Sequence, residues 1–428
     1  MIAALLLGFA SAAMAQQAAE TPVPAVYSLA FSLDGKRLAV GSHRQALLYD
    51  TATWTVSDTI TGVQSAVRSL TFHPDGKHLA IGSGVTGASG NVLMWDMTDP
   101  TKGVNYVPAK DTIESIAFSK DGNRMLTASF DSKAHFFRWA PYPYGEQKLE
   151  EHNGRVTSAA FSSKPDYIFL TGAMDKMVKV WDFKTTKVVV NFDQATAGIT
   201  GLSFLSNGDQ FVGSSLDGNL YWWGVGYDTR KKIYSGYPIR TVRAHEDGVS
   251  AFSASANQQR IATGGVDHRV CVWKMDDGGL VREFKDPNGP VYATALSPDG
   301  KIAAAAGRQG IIWVWDVEAN KLLTTLTPPR PKPVVAAPVV PPTPIAAPAA
   351  PKPAETKPSK ATPAKSDPKK SASTPSKSAD AKSAKPKSGK ATPAASGSAG
   401  AASSKPKTKQ PTPATPKPKS STSAKPKP

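Results

Sequence analysis

The chain has 428 residues, with 51 Lys and Arg against 34 Asp and Glu and a formal net charge of +17. From Pro328 to Pro428, 20 basic residues face 3 acidic ones, so this segment alone carries +17 and the remainder, with 31 of each sign, is neutral. The basic balance therefore describes the tail and says nothing about the folded part. The single cysteine, Cys271, excludes an internal disulfide, a multi-cysteine zinc site and a Cys-x-x-Cys-His haem attachment.

Residues 1–17 read MIAALLLGFASAAMAQQ, an apolar run leading to the small-x-small sequence Ala13-Met14-Ala15. This predicts a secretory signal peptide over 1–15, although no Lys or Arg precedes the run. The alternative is a buried N-terminal element. The run is far short of the ~20 residues that span a bilayer, and no other stretch is long and apolar enough. Residues 16–25 read as a short linker.

The next 300 residues repeat seven times, at 26–50, 66–96, 112–140, 155–182, 198–224, 248–274 and 290–316. Each unit has an alternating apolar strand, a turn such as Ser-Leu-Asp-Gly, and a second strand ending near Gly or Ser. A third strand ends at an aromatic, and a fourth follows, as in KVVVNF (187–192) and KLLTTL (321–326). Period-two alternation broken by Asp-Gly and Pro-Asp turns indicates antiparallel hairpins. Units of 42–50 residues with four strands each predict an all-β ring of seven blades, in which few sheet edges are exposed.

The repeat resembles the WD40-repeat family over residues 26–327, with Trp-Asp at 95–96, 181–182 and 315–316. The resemblance implies a seven-bladed β-propeller of four-stranded antiparallel blades. It also implies a buried tetrad of His, Ser/Thr, Asp and Trp in the best-formed blades. Two units match throughout: His152, Thr171, Asp175 and Trp181, then His245, Thr263, Asp267 and Trp273. Asp217 and Trp223 keep the spacing without a His, Asp131 and Trp139 lie two residues too far apart, and units 1, 2 and 7 lack the Asp. Because the chain begins on a first strand and ends on a fourth, the ring is expected to close without strand exchange unless residues 17–25 contribute.

A His, a Thr and an Asp could suggest a nucleophilic triad, but their recurrence beside Trp on two blades favours the structural tetrad. P-loop, HExxH, dinucleotide and EF-hand signatures are absent. The Gly-rich GSGVTGASG (82–90) has no helix after it and reads as a long flexible turn. His73 and His78 flank a Pro-Asp-Gly turn and could approach each other, but read as a solvated surface pair. No enzyme, cofactor or metal is expected.

In the family, the residue before the turn Asp usually points to the upper face of the ring. Here it is Phe130, Met174, Leu216 or Val266, an apolar set suited to a protein or peptide partner. The alternative is packing between blades. In the fifth unit, Arg230, Lys231 and Lys232 among tyrosines could take a polyanion, against the alternative of an outer hairpin. The Pro/Lys/Ala/Ser-rich segment 328–428 cannot bury a core and is expected to be disordered. Its lysines suit anionic envelope polymers or lipids if the chain is exported, and nucleic acid if residues 1–15 are retained; a plain linker is the third option. The sequence therefore supports an exported, non-catalytic scaffold of the cell envelope, ahead of an intracellular polyanion binder and a propeller hydrolase or oxidoreductase.

Overall fold

The computed structural model describes residues 23–329, apart from 100, 102, 140–142 and 166. The signal peptide over 1–15, most of the 16–25 linker, and the tail from residue 330 lie outside the described residues. Every named element is a strand, and the 28 strands form seven four-stranded sheets, each pairing consecutively in antiparallel fashion. The blades cover residues 28–60, 69–109, 113–149, 156–192, 199–243, 249–284 and 291–326. The described residues hold no helix long and apolar enough to cross a membrane.

The burial pattern follows position within a blade. The second and third strands are sandwiched between neighbouring blades, so both of their faces are apolar; Ile168–Ala173 (IFLTGA) is buried at every residue. The outer fourth strand Thr55–Ile60 has solvent on it and is exposed except at Ile60. Seven apolar clusters result, one at each seam between blades. Glycine ends the second strand where the next blade presses closest. A Cβ on Gly41, Gly172 or Gly264 would lie 2.6, 2.6 or 2.4 Å from Val67, Ile199 or Val291 of the following blade.

Among the described residues no strand is exchanged at the closure: blade 1 is made from residues 28–60 and blade 7 from 291–326. The seam is held by Val26, Leu29, Val40 and Leu47 packed on Ala293, Ala304, Ala306 and Val314. One backbone bond, from Val26 N–H to the Gly307 carbonyl (3.3 Å), crosses it. The Gly-rich stretch 82–90 differs from the expected long loop. Strands His78–Val85 and Ser89–Asp96 pair out to Val85↔Ser89, leaving a three-residue turn. The reason is steric: a Cβ on Gly84 or Gly90 would lie 2.6 Å from Thr112 Cα or 2.0 Å from the Asp111 carbonyl oxygen, so the glycines let this hairpin lie against blade 3.

Candidate functional site: the upper mouth of the channel

In a meander, the turns between second and third strands and the connections between blades share one end of the ring, here the upper face. The residues before the turn Asp take equivalent places on it. Phe130, Met174, Leu216 and Val266 each donate their backbone N–H to the residue ahead of their blade's first strand: Thr112 (3.0 Å), Arg155 (2.8 Å), Gly198 (2.9 Å) and Gly248 (3.3 Å). Met174, Leu216 and Val266 are 40, 37 and 38% exposed, an apolar crescent over blades 4–6. Met174 also packs between blades, since a Cβ on Gly198 would meet its sulfur at 2.6 Å. Phe130 is half-buried, with the Arg155 guanidinium 4.7 Å over its ring.

Sequence reading missed a second ring of positions. Each first strand is led by a buried β-branched residue, Val26, Val67, Ile113, Val156, Ile199, Val249 or Val291. Alternation turns the residue after it toward the channel, giving Tyr27, Arg68, Glu114, Thr157, Thr200, Ser250 and Tyr292. All seven line a cavity of about 440 Å³. That the position recurs seven times was a usable signal; its varied chemistry hid it.

The ring is lopsided. In blades 4–6 the hydroxyls are consumed internally: Thr157 donates to the Ile199 carbonyl, Thr200 bonds Ser214 Oγ (2.8 Å), and Ser250 donates to the Val291 carbonyl (2.6 Å). Blades 7, 1, 2 and 3 instead present aromatic and charged groups. Tyr27 and Tyr292 stack at 5.9 Å, and Arg68 lies 4.5 Å over Tyr27. Burial pushes the Glu114 carboxyl up to about 7, against the opposing pull of Arg68 and Arg155, and its Oε2 is buried without a hydrogen-bond partner among the described residues. Among the residues lining the channel, Glu114 is the one carboxylate, with no His or Cys beside it. The mouth can therefore grip a chain segment by apolar, cation–π and charged contacts, but offers no nucleophile–base pair.

The remaining His, Thr and Asp candidates sit in hydrogen-bonded chains inside blades 4 and 6. Trp181 Nε1–H donates to Thr171 Oγ1 (2.8 Å), whose hydroxyl donates to His152 Nε2 (2.7 Å), and His152 Nδ1–H donates to Asp175 (2.9 Å). Trp273, Thr263, His245 and Asp267 repeat this at 2.9, 2.8 and 2.9 Å. Burial works against the Asp267 charge, but His245 and Arg269 hold its carboxyl down at about 2. Burial keeps the His245 pKa below its ordinary value, consistent with a neutral ring. Blades 5 and 7 shorten the chain: Trp223 Nε1–H reaches Gln194 Oε1 (2.8 Å) and Trp315 Nε1–H reaches Asp286 Oδ2 (2.9 Å). Both acceptors lie 29 residues before the Trp, as His152 does before Trp181.

Arg230, Lys231 and Lys232 are exposed at the tip of a hairpin formed by Asn219–Asp228 and Ile233–Arg243. Its Tyr234 turns inward, donating its hydroxyl to Asp182 of blade 4 (2.9 Å). The aspartates of the Trp-Asp and Tyr-Asp pairs close the turn to the fourth strand; Asp182 accepts from Thr185 N–H (2.8 Å) and Asp50 from Thr53 N–H (2.9 Å). Cys271 is buried and its thiol is pushed up to about 12. His73 departs from the expected surface pair, being only 5% exposed.

The WD domain, G-beta repeat family model matches residues 54–96, 105–138, 146–182, 186–224, 236–274 and 278–316, together just over half of the chain. Among similar proteins, the serine-threonine kinase receptor-associated protein of Rattus norvegicus is 21% identical over 216 residues, covering 50% of this chain and 57% of its own. Periodic tryptophan protein 2 of Arabidopsis thaliana is 26% identical over 176 residues, covering 41% of this chain and 19% of its own. Protein tipD of Dictyostelium discoideum is 25% identical over 229 residues, covering 51% of this chain and 35% of its own. The chain thus spans 57% or less of the length of each of these relatives. With six matched repeats and seven four-stranded blades, the chain belongs to the WD40-repeat family.

Proposed function

We propose that the protein is a non-catalytic scaffold that captures a protein or peptide partner on the upper face of the propeller and is exported to the cell envelope. One observation carries this reading: the exposed apolar crescent of Met174, Leu216 and Val266 faces an aromatic and charged crescent of Tyr27, Tyr292, Arg68 and Glu114 around one mouth. Apolar surface held at equivalent positions on three successive blades, beside unspent polar groups, is what a bound chain would cover. The name of the rat relative, a receptor-associated protein, fits an interaction role. The export reading rests on residues 1–15, and the tether reading on the charge of 328–428, whose lysines would hold the propeller near anionic polymer or lipid.

The decisive experiment is affinity capture from the host with wild type and with a Leu216→Asp/Val266→Asp double variant, both residues being exposed, identifying the retained proteins by mass spectrometry. The variant should lose the partner while keeping its melting temperature. A partner retained at wild-type levels rules out this surface. N-terminal sequencing of the mature chain tests export separately: a start at Gln16 supports it, and an intact Met1 transfers the tail's role to intracellular polyanions.

A further inference from the structure

The lower face, where first and second strands meet, carries a four-residue turn used again and again. In blades 1, 3 and 7 it is built alike. Ser32, Ser119 and Ser297 donate their hydroxyls to Asp34 (2.6 Å), Asp121 (2.5 Å) and Asp299 (2.6 Å). The same oxygens accept the N–H of the fifth residue on, Arg37 (2.9 Å), Arg124 (3.0 Å) or Ile302 (2.9 Å). Blade 2 keeps the Asp and the Gly but puts imidazoles at both ends, as His73-Pro-Asp75-Gly-Lys-His78. Blades 1, 3 and 7 form this turn with Ser and Asp and no imidazole.

The geometry around His73 fixes its ring. Nε2 lies 3.0 Å from the Gly122 carbonyl of blade 3, which only accepts, so Nε2 carries the proton. Nδ1 accepts the Asp75 N–H (3.2 Å), so it presents a lone pair. That lone pair lies 3.1 Å from Asp75 Oδ2, an acceptor facing an acceptor. The same Oδ2 is 2.7 Å from His78 Nδ1. The ring is clamped at 4.7 Å from Phe118 and 5.5 Å from Trp139, and a Cβ on Gly122 would lie 2.8 Å from it. A buried imidazole whose far N–H is tied to a carbonyl is oriented as metal-ligating histidines are, and its Nδ1 would exchange the long Asp75 N–H contact (3.2 Å) for an ion.

We propose that His73, Asp75 and His78 bind one zinc-class divalent ion, which pins the blade 2 turn beside blade 3. Ligand atoms of the three residues all lie within 4.8 Å of one another. A tetrahedral ion with ~2.1 Å bonds holds neighbouring ligand atoms roughly 3.4 Å apart, so small rotations of Asp75 and His78 complete the set. Two imidazoles and one carboxylate suit zinc over calcium or magnesium. The Asp75 and His78 side chains are 33 and 30% exposed, leaving a path in and a position for water. The site is independent of the partner surface on the upper face.

The test is isothermal titration of tag-free, EDTA-stripped full-length protein with zinc chloride, paired with thermal melts. Wild type should bind one ion saturably and melt higher with zinc. His78→Ala should weaken zinc binding at least ~10-fold while the metal-free melt is preserved, and His73→Ser, which removes a buried ring, should weaken it as much with a lower metal-free melt. Absence of saturable binding by wild type, or wild-type affinity in either folded variant, overturns the proposal. If both variants unfold, ¹⁵N ring shifts of His73 and His78 in wild type decide it: movement with one equivalent of zinc supports the site, and no movement ends it.

Discussion

Blades 4–7 and blades 1 and 3 share one backbone and differ in what their third-strand aromatic does. In blades 4–7 the indole N–H is always bonded, to Thr171, Gln194, Thr263 or Asp286. In blade 1 the corresponding residue is Tyr49, whose buried hydroxyl has no partner among the described residues; in blade 3 the register puts Phe137 there, six residues after Asp131, and not the expected Trp139, so that blade has no indole to donate. The backbone therefore does not need the tetrad. Sheet pairing and seam packing build a blade, while the polar chain adds specificity where every member is satisfied.

The largest effect on this contrast is expected from Asp175→Ala. It orphans His152 Nδ1–H and the Asn153 N–H, which donates to Asp175 at 3.0 Å, and should cost about 2–3 kcal/mol, read as a lower Tm. An unchanged Tm would mean blade 4 leans on packing alone, as blade 1 does. Acid should weaken blade 6 in the same way. The Asp267 carboxyl ionises at about 2 in the fold against 3.8 for the free group. Its contribution is thus present above pH ~4 and is lost as pH falls toward 2. His245, with its pKa lowered in the fold, favours the folded state above pH ~6.5 and progressively less below.

Much of this was legible in the sequence and some was not. The seven blades followed from alternation and turn spacing, and the two complete tetrads from residue types at fixed offsets. Gln194 and Asp286 escaped notice because neither is a His, although both stand where the His would. A hydrogen-bond donor constrains its acceptor by position more than by residue type. The channel ring of Tyr27, Arg68 and Glu114 was hidden for the opposite reason: its place is periodic but its chemistry is not. The stretch 82–90 misled because glycine serves close approach as well as flexibility, and only the neighbouring blade 3 shows which.

Two smaller effects sharpen the comparison. Glu114 is raised from 4.5 to about 7, so its contribution to stability is full below pH ~4.5 and is lost as pH rises through 7. Glu114→Gln should leave Tm unchanged at pH 5 and raise it at pH 8, by ~1 kcal/mol after allowing for solvent in the channel. A fall at pH 8 would mean that the carboxylate is ionised and paired with Arg68 or Arg155. Smallest is Tyr49→Phe. Burial pushes that hydroxyl up to about 12 without giving it a partner, so its removal should change stability by no more than ~1 kcal/mol, toward stabilisation. A clear loss in a denaturant melt would show that Tyr49 is bonded after all and erase the difference between the two groups of blades.

The unexchanged closure has a mechanical side. The two ends of the described chain meet at the same seam, where a Cβ on Gly310 of blade 7 would lie 2.5 Å from Val23 and Gln45 of blade 1 donates to the Pro329 carbonyl (3.0 Å). A pull applied through these two ends meets the apolar packing of the seam and, among the described residues, one backbone bond, from Val26 N–H to the Gly307 carbonyl. A shared sheet would resist such a load by shearing a whole ladder of bonds at once. Among the described residues this ring is closed instead by side-chain packing across a seam that carries no ladder.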